Sequence, residues 1–583
     1  MQKRTSIFLL LLLSFCGIIS AQQTDNIGTE TVTVVKPYSP TVSDAFKIKS
    51  SPDLNDSIVL QKKEIDYSIF SVPVASTFTP AKGKASTVKK VPPPTLYNSF
   101  ASVGLGNYNN ALLDFYTSQE LNRREDLLDV GLNHHSSRGD IDFTPLDTEF
   151  YNTKLDVSYK KKARDLNWGA NMGLQHQIYN WYGIDAESFD EVTIAGIDET
   201  QHYFNAEGSA QLEMEDSYFK KGNVLLRRFW DAAESGENRI ILNSTLELPV
   251  TEELINVGIA LDFVNGSFAN ASVNNAINDA GIDYGQFQAG ITPSLLVLRD
   301  DLTLNLGASF VYGLATENSD SNFFIYPAVT ASYRLLEENV IAYGGIEGQL
   351  TQNTYHSFVD QNPFVSPTLD IQPTDRQYEG YVGLKGQLTS HVGYNIKGSY
   401  TAENRKPLFL LNPQNLFRND EEGYTFGNSF QVFYDDVKTL GIFAELNVDL
   451  NRNFMLGINA EFNDYDTETD NPAWNLPSIK GSLFLDYQIN DQWYAGANLF
   501  YVGERDDLVA QVVQNVQPSE FPATIVTLDG FFDANAHLGY RFNEQLSIFV
   551  KASNLANNEY QRWANFRVQG FQALAGVSYK FDL

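Results

Sequence analysis

Acidic side chains are the most numerous candidates for chemistry in this chain, and they come in clusters. Asp185, Glu187, Asp190, Glu191, Asp198 and Glu199 share one stretch with no basic residue among them, and Asp464, Asp466, Glu468 and Asp470 share another. Carboxylate oxygens so placed could hold calcium, but neither cluster has the ligand order or the glycine of a calcium loop, and solvated surface is the favoured reading. The neighbouring His134 and His135 could ligate a transition metal. With no third ligand beside them, the pair reads as ordinary surface near a strand end. Lys160, Lys161, Lys162 and Arg164 crowd one short turn, where they could meet acidic lipid headgroups or a partner, or simply be solvated. No nucleophile elbow, phosphate loop or zinc signature is present. The reading therefore nominates no catalytic, cofactor-binding or metal residue, and no enzyme.

The elements that carry these residues are strands. Ile255, Val257, Ile259, Leu261 and Phe263 alternate with Asn256, Gly258, Ala260 and Asp262; Leu483, Leu485, Tyr487 and Ile489 alternate with Ser482, Asp486 and Gln488. Period two with bulky apolar residues on one face fits lipid outside and a wet lumen inside. A soluble sandwich can alternate too, so the connections decide. Short turns at 122–125, 163–167, 215–217, 249–253, 299–301, 337–339, 389–391, 451–453, 490–492 and 543–545 take turns with long connections. The latter lie near 138–146, 181–200, 231–237, 267–282, 316–321, 353–375, 406–427, 468–475, 506–527 and 556–568. An antiparallel up-and-down barrel with short periplasmic turns and longer outer loops does this. The count is about 22 strands, within a range of about 16–22, if Ser429 to Leu450 is one long strand; an even number keeps both ends on one side. Trp181, Trp474 and Trp563 sit beside long loops, and Trp168 and Trp493 beside short turns, as two aromatic girdles would.

Composition agrees. Aromatics are 13% of the chain, and Asp and Glu exceed Lys and Arg by 72 to 41, for a net charge of -31. That excludes a generic nucleic-acid binder, which needs a basic footprint. Residues 1–21 read as a signal peptide: Lys3 and Arg4, an apolar run from Ile7 to Phe15, then Ile19-Ser20-Ala21 for cleavage. The single cysteine, Cys16, lies inside that segment; bulky Phe15 before it argues against a lipoprotein. Residues 22–95 hold eight of the 21 prolines and read as an extended periplasmic tail, ending in the stiff run Pro92-Pro93-Pro94. Residues 96–583 are then the barrel.

The final stretch sets the face. Phe571, Ala573, Ala575, Val577, Tyr579, Phe581 and Leu583 alternate with Gln572, Gly576, Ser578, Lys580 and Asp582, and Leu574 alone breaks the pattern. An apolar face ending in Tyr-x-Phe-x-Leu resembles the closing strand of a bacterial outer-membrane barrel, with Val577, Tyr579, Phe581 and Leu583 as its closing signal. Phe100 to Asn109, with its Gly-x-Gly-x-Tyr-like turn, resembles the first barrel strand of TonB-dependent receptors, and Asn554-Leu555-x-Asn557-x-x-Tyr560 is similar to that family's end. Glu30-Thr31-Val32-Thr33-Val34-Val35 resembles the TonB box, which adds a strand to the periplasmic TonB protein; a Thr/Val-rich stretch of tail is the alternative. The resemblance fails at the plug, for which the tail is too short.

The resemblance implies an outer-membrane barrel for solute passage or ligand docking at the cell surface. The alternative is a structural subunit of an envelope assembly. Expected partners are outer-membrane lipid, a solute, and a periplasmic or outer-membrane protein; no cofactor is expected. A barrel this wide needs a filled lumen. The connections 353–375, 406–427 and 506–527 could fold inward, but the tail together with a partner is the favoured filler.

Overall fold

In the computed structural model, residues 95–122, 126–250, 253–270, 281–414, 422–451, 453–512 and 521–583 are described. The signal segment and the Glu30–Val35 segment lie outside them. Twenty-two strands form one antiparallel sheet in which each pairs with its neighbours in sequence and the last pairs with the first. The seam runs from Ser99 opposite Phe581 to Gly106 opposite Leu574 without a shift. Closure leaves no sheet edge to satisfy, which is why strands can cross a bilayer at all. No helix among the described residues is long and apolar enough to cross.

Strand geometry follows the alternation. Leu155, Met172, Leu174, Leu226, Ile240 and Ile291 are exposed on the outer surface, as an apolar belt requires. The opposite face is polar and paired: Arg227 meets Glu207 at 2.8 Å, Arg239 meets Asp262 at 2.6 Å, and Lys397 meets Glu379 at 3.2 Å. Phe430–Asn451 is one unbroken strand of 22 residues. The short turns fall where the spacing places them, and two-residue connections close Arg299 on Leu302, Thr389 on Val392 and Asn451 on Phe454. This end of the barrel, by its short turns, is the periplasmic one.

Leu574, the misfit of the last strand, faces the lumen. A Cβ on Gly104 would lie 2.5 Å from its Cδ2, so the leucine lies over a glycine of the first strand and fills the space that residue leaves. The tryptophans divide. Trp168 packs on Tyr159 at 5.2 Å and Trp493 on Tyr540 at 4.8 Å, at the periplasmic rim. Trp181 and Trp474, by contrast, are buried among the loops in two separate clusters, and Trp563 packs against the cluster that holds Trp181. The expectation of an outer girdle from these three is therefore corrected: they serve the loops, and outward Phe204 and Trp230, ring to ring at 5.4 Å, take the girdle position.

Candidate functional site

Several long connections turn inward: described residues of 181–200, 353–375, 406–427, 506–527 and 556–568 pack together. They converge over the outer mouth around one hydrophobic core. Its centre is the helix Tyr355–Gln361, in the connection after the thirteenth strand, Val340–Thr351. Thr354 caps the helix and accepts from the Ser357 amide at 3.0 Å, while the Ser357 hydroxyl accepts from the Thr354 amide at 3.1 Å; this reciprocal box satisfies two N–H groups that the helix itself cannot. Tyr355, Phe358 and Val359, one helical face, are buried.

The wall holds this helix by its start. Glu237 Oε2 accepts from the Tyr355 amide at 2.6 Å and from the Tyr284 hydroxyl at 2.8 Å. A carboxylate at a helix N-terminus meets unsatisfied N–H groups and the positive end of the dipole. The Tyr355 hydroxyl donates to Asp231 at 2.6 Å, and the Tyr203 hydroxyl to the Pro363 carbonyl at 2.8 Å. Burial, followed by the nearby Asp231 charge, pushes the Tyr355 phenol well above its usual range, so it stays a donor. On the helix's polar side, His356 lies 3.3 Å from Arg227 and 3.7 Å from Asp360. Burial first, then Arg227, pushes its imidazole down to about 4; the ring is neutral and can accept from the guanidinium.

Three loops meet beyond the helix. Phe364 stacks on Phe566 at 3.9 Å between centroids; Tyr182 meets Phe364 edge-on at 5.6 Å and Phe566 at 4.9 Å. Their loops leave the barrel after the fifth, thirteenth and twenty-first strands, spacings of eight, eight and six around a ring of 22. Side chains from three well-separated points on the circumference can touch only by crossing the mouth. The Tyr182 hydroxyl donates to the Arg567 carbonyl at 2.8 Å and fixes the junction. Gly183 makes it possible, since a Cβ there would stand 2.4 Å from the Phe566 ring.

Two further connections lock the roof. Asn428 donates to the Trp181 carbonyl at 2.6 Å, and Trp181 packs on Tyr424 at 5.2 Å. The hairpin of Arg505–Ala510 with Ala523–Leu528 is anchored by Arg505, which donates to the Arg562 and Gln561 carbonyls at 2.8 and 3.0 Å. Asp507 is fully buried there and accepts from the Leu411 amide at 3.1 Å and from Asn475 at 2.9 Å. Burial pushes its carboxyl up to about 6 in spite of these donors. The described residues of the connections 353–375, 406–427 and 506–527, named from the sequence as inward candidates, are among those that meet in the roof.

The other sequence candidates scatter. His134 and His135 point to opposite faces, His134 to Thr153 at 2.7 Å and His135 to Asn110 at 3.1 Å; neighbours in a strand cannot share one metal. Asp185 and Asp190 accept from the amides of Glu187 and Thr193, so these acids cap turns of their own loop. Lys160 and Lys161 lie 3.2 and 3.6 Å from Asp129 and Asp126 on the adjacent strand. Val577, Tyr579 and Phe581 stand opposite Val103, Ala101 and Ser99 at the seam. The residues missed were the roof aromatics; the available signal was the aromatic content of loops that are otherwise acidic.

A closed 22-stranded barrel of this build is the barrel fold of TonB-dependent receptors, and the chain is an outer-membrane β-barrel by its apolar belt and edgeless sheet. Among solved structures, it is similar to the ferripyoverdine receptor of the outer membrane of Pseudomonas aeruginosa, with a TM-score of 0.60 and 14% identity over 84% of this chain and 72% of that one. It is also similar to the siderophore receptor PirA from Acinetobacter baumannii, with a TM-score of 0.60 and 14% identity over 83% and 80%. The FrpB iron transporter from Neisseria meningitidis gives a TM-score of 0.61 and 10% identity over 84% and 82%. Likeness at such identities is a likeness of fold. No family model and no curated protein matches the chain.

Proposed function

We propose that this chain is a receptor-type outer-membrane barrel that docks a ligand at the cell surface and passes a solute only when its loop roof opens. The observation that carries the reading is the meeting of Tyr182, Phe364 and Phe566 across the mouth. An always-open pore has no use for such a junction, and a gate does. The siderophore receptors and iron transporter of the same fold support passage of a solute or docking of a ligand as the class of activity. Glu30 to Val35 is the proposed contact for a periplasmic protein, by strand addition.

The experiment is single-channel recording of the purified full chain in a planar bilayer. Wild type is expected to be silent, and a variant with 356–370 replaced by a short Gly/Ser linker is expected to conduct. A large steady conductance of the wild type would mean that the roof does not seal.

The buried aromatic packing of the roof supports a second reading, a permanently shut barrel that anchors an envelope assembly. If the linker variant conducts but cells carrying it keep every phenotype of the parent, while deletion of 23–90 removes a co-purifying protein, the anchor reading prevails.

A further inference from the structure

The ribbon of Arg505–Ala510 with Ala523–Leu528 is a sheet of two strands, and its two edges differ. The Gln511 amide donates to the Pro522 carbonyl at 3.1 Å. Bonded pairs of an antiparallel ladder recur at every second residue, so they continue through Val509 with Thr524 and Asp507 with Val526. The residues between turn their N–H and C=O groups away from the partner strand. On the inner strand, Arg505–Ala510, the roof takes up such groups: the Ala510 carbonyl accepts from the Gln414 amide at 2.8 Å, and the Asp506 carbonyl from the Asn475 amide at 2.9 Å. On the outer strand the counterparts are Ala523, Ile525 and Thr527. No strand among the described residues pairs with that edge.

Nothing in the outer strand blunts the edge. Thr524-Ile525-Val526-Thr527 holds no charge, proline or glycine, and its β-branched side chains favour a strand. Ile525 is 52% exposed and Val526 36%, on opposite faces. Sheet edges are ordinarily guarded by lysine, proline or a bulge, and two strands without a third are marginal in water. This ribbon keeps its form because Arg505 and Asp507 clamp the inner strand to the roof, which holds an edge in unbroken register ready for a third strand. Charge says what that strand carries. Glu504 and Asp529 are exposed at one end of the ribbon, and Asp506 accepts from the Thr527 hydroxyl at 2.6 Å. The connection behind the inner strand adds Glu468 and Asp470, exposed as well. Against them stand Arg562 and Arg505, and Arg505 is buried and spent on two carbonyls. A second copy, at the same net charge of -31, is repelled from this edge; a basic segment is drawn to it.

We propose that the outer edge of Ala523–Leu528 docks an extended, lysine- or arginine-bearing segment of a partner protein at the cell surface, which adds as the ribbon's third strand. The N–H and C=O groups of Ala523, Ile525 and Thr527 supply the ladder, Ile525 and Val526 meet alternate side chains of the incoming strand, and the surrounding carboxylates select its charge. The inference names a partner for the docking half of the function proposed above. It rests on the placement of the long loops outside the cell and does not need the roof to open.

The test uses the purified full chain in detergent and fluorescence anisotropy with three labelled peptides: repeats of Lys-Val-Thr-Val, of Glu-Val-Thr-Val, and of Lys-Pro-Pro-Val, which keeps the charge but cannot form a ladder on either edge. Wild type is expected to bind the first at least about tenfold more tightly than the other two, less tightly as salt rises, and isotope-edited infrared spectra of the bound peptide should show the amide bands of a strand. Ile525→Pro removes an outward N–H and spares the bonds to the inner strand, so it should erase the preference. Ile525→Lys, which sets a like charge against the peptide, serves if the proline variant does not assemble and should erase it too; heat-modifiable migration identifies folded samples. Val192→Lys, the same change on a different loop, should keep the preference. Equal binding of the Lys-Val-Thr-Val and Glu-Val-Thr-Val repeats, binding of the proline repeat as tight as the first, no binding of any of the three, or an unchanged preference in the folded Ile525 variants overturns the proposal. A roof that still gates in the bilayer while the peptides fail would strike this partner and leave the gate.

Discussion

The ring of Phe364 lies on the ring of Phe566 at 3.9 Å and 23°, although 202 residues and eight barrel strands separate them. The contact is a span across the mouth. Its stability is set by the aromatic packing around it, since Tyr182, Phe430 and Trp563 all lie against one or the other ring or against each other's neighbours.

Removing that ring should open the roof. Phe566→Ala takes a fully buried side chain from the middle of the core and is expected to cost about 3–5 kcal/mol of local stability. Planar-bilayer recordings should show openings that wild type lacks, and cells should admit bulky antibiotics. Gly183→Val drives a branched side chain into the same ring and should act in the same direction. A silent bilayer with both variants would place the seal elsewhere.

Glu237 should matter by its charge as well as its shape. Glu237→Gln keeps the volume and one oxygen for the Tyr355 amide and the Tyr284 hydroxyl, but it removes the negative charge from the helix start and turns an NH2 donor toward the His356 amide, which lies 3.4 Å from Oε1. The expected loss is about 1–3 kcal/mol, confined to the helix start. Amide hydrogen exchange at Tyr355 and His356 should accelerate by roughly fivefold to a hundredfold, the factor that a loss of about 1–3 kcal/mol corresponds to, while the strands keep their protection.

Acid should loosen the roof through His356. Its folded pKa of about 4 lies below the ordinary value near 6.5, so the folded state prefers the neutral ring. The stability this preference preserves is whole above pH 6.5 and falls as pH drops toward 4, by on the order of 3 kcal/mol. Arg227, Glu207 and Arg239 face the ring as well. Asp360, whose carboxyl is raised by burial, titrates with the opposite sign. Exchange of the 352–373 amides, corrected for intrinsic rate, should rise between pH 6.5 and 4 in wild type. In His356→Gln the rise should vanish or reverse.

Closure at the seam is the fourth expectation. Tyr579→Asp with Phe581→Asp places two charges on the lipid face beside Ala101 and Ser99, each costing about 1–3 kcal/mol according to depth. Heat-modifiable barrel should disappear from membranes with little soluble product. Normal assembly would mean that these residues carry no closing signal.

Much of the barrel was legible because each strand writes its two solvents into a period of two. The long strand to Asn451, the short turns and the outward face of Val577 and Tyr579 all follow from that local rule. Even the exception, Leu574, has a local cause in the bare backbone of Gly104. The roof was not legible. A tryptophan next to a long loop looks the same whether it turns to the lipid, as Trp230 does, or into the loops, as Trp181 does. The junction of Tyr182, Phe364 and Phe566 follows no period at all; it depends on where three distant strands stand on the ring.

The shared roof changes what can be done to this protein from outside. Surface loops of barrels are the usual places to graft a peptide tag, because each loop stands alone and forgives an insertion. Here a graft near Pro363 or Arg567 would be felt by several loops at once, since the loops that carry Tyr182, Phe409 and Tyr424 lean on the same core. Val192, 82% exposed on the short helix Glu191–Ile194, stands clear of that junction. A displayed epitope belongs there, and an antibody raised against it should label intact cells without disturbing the seal.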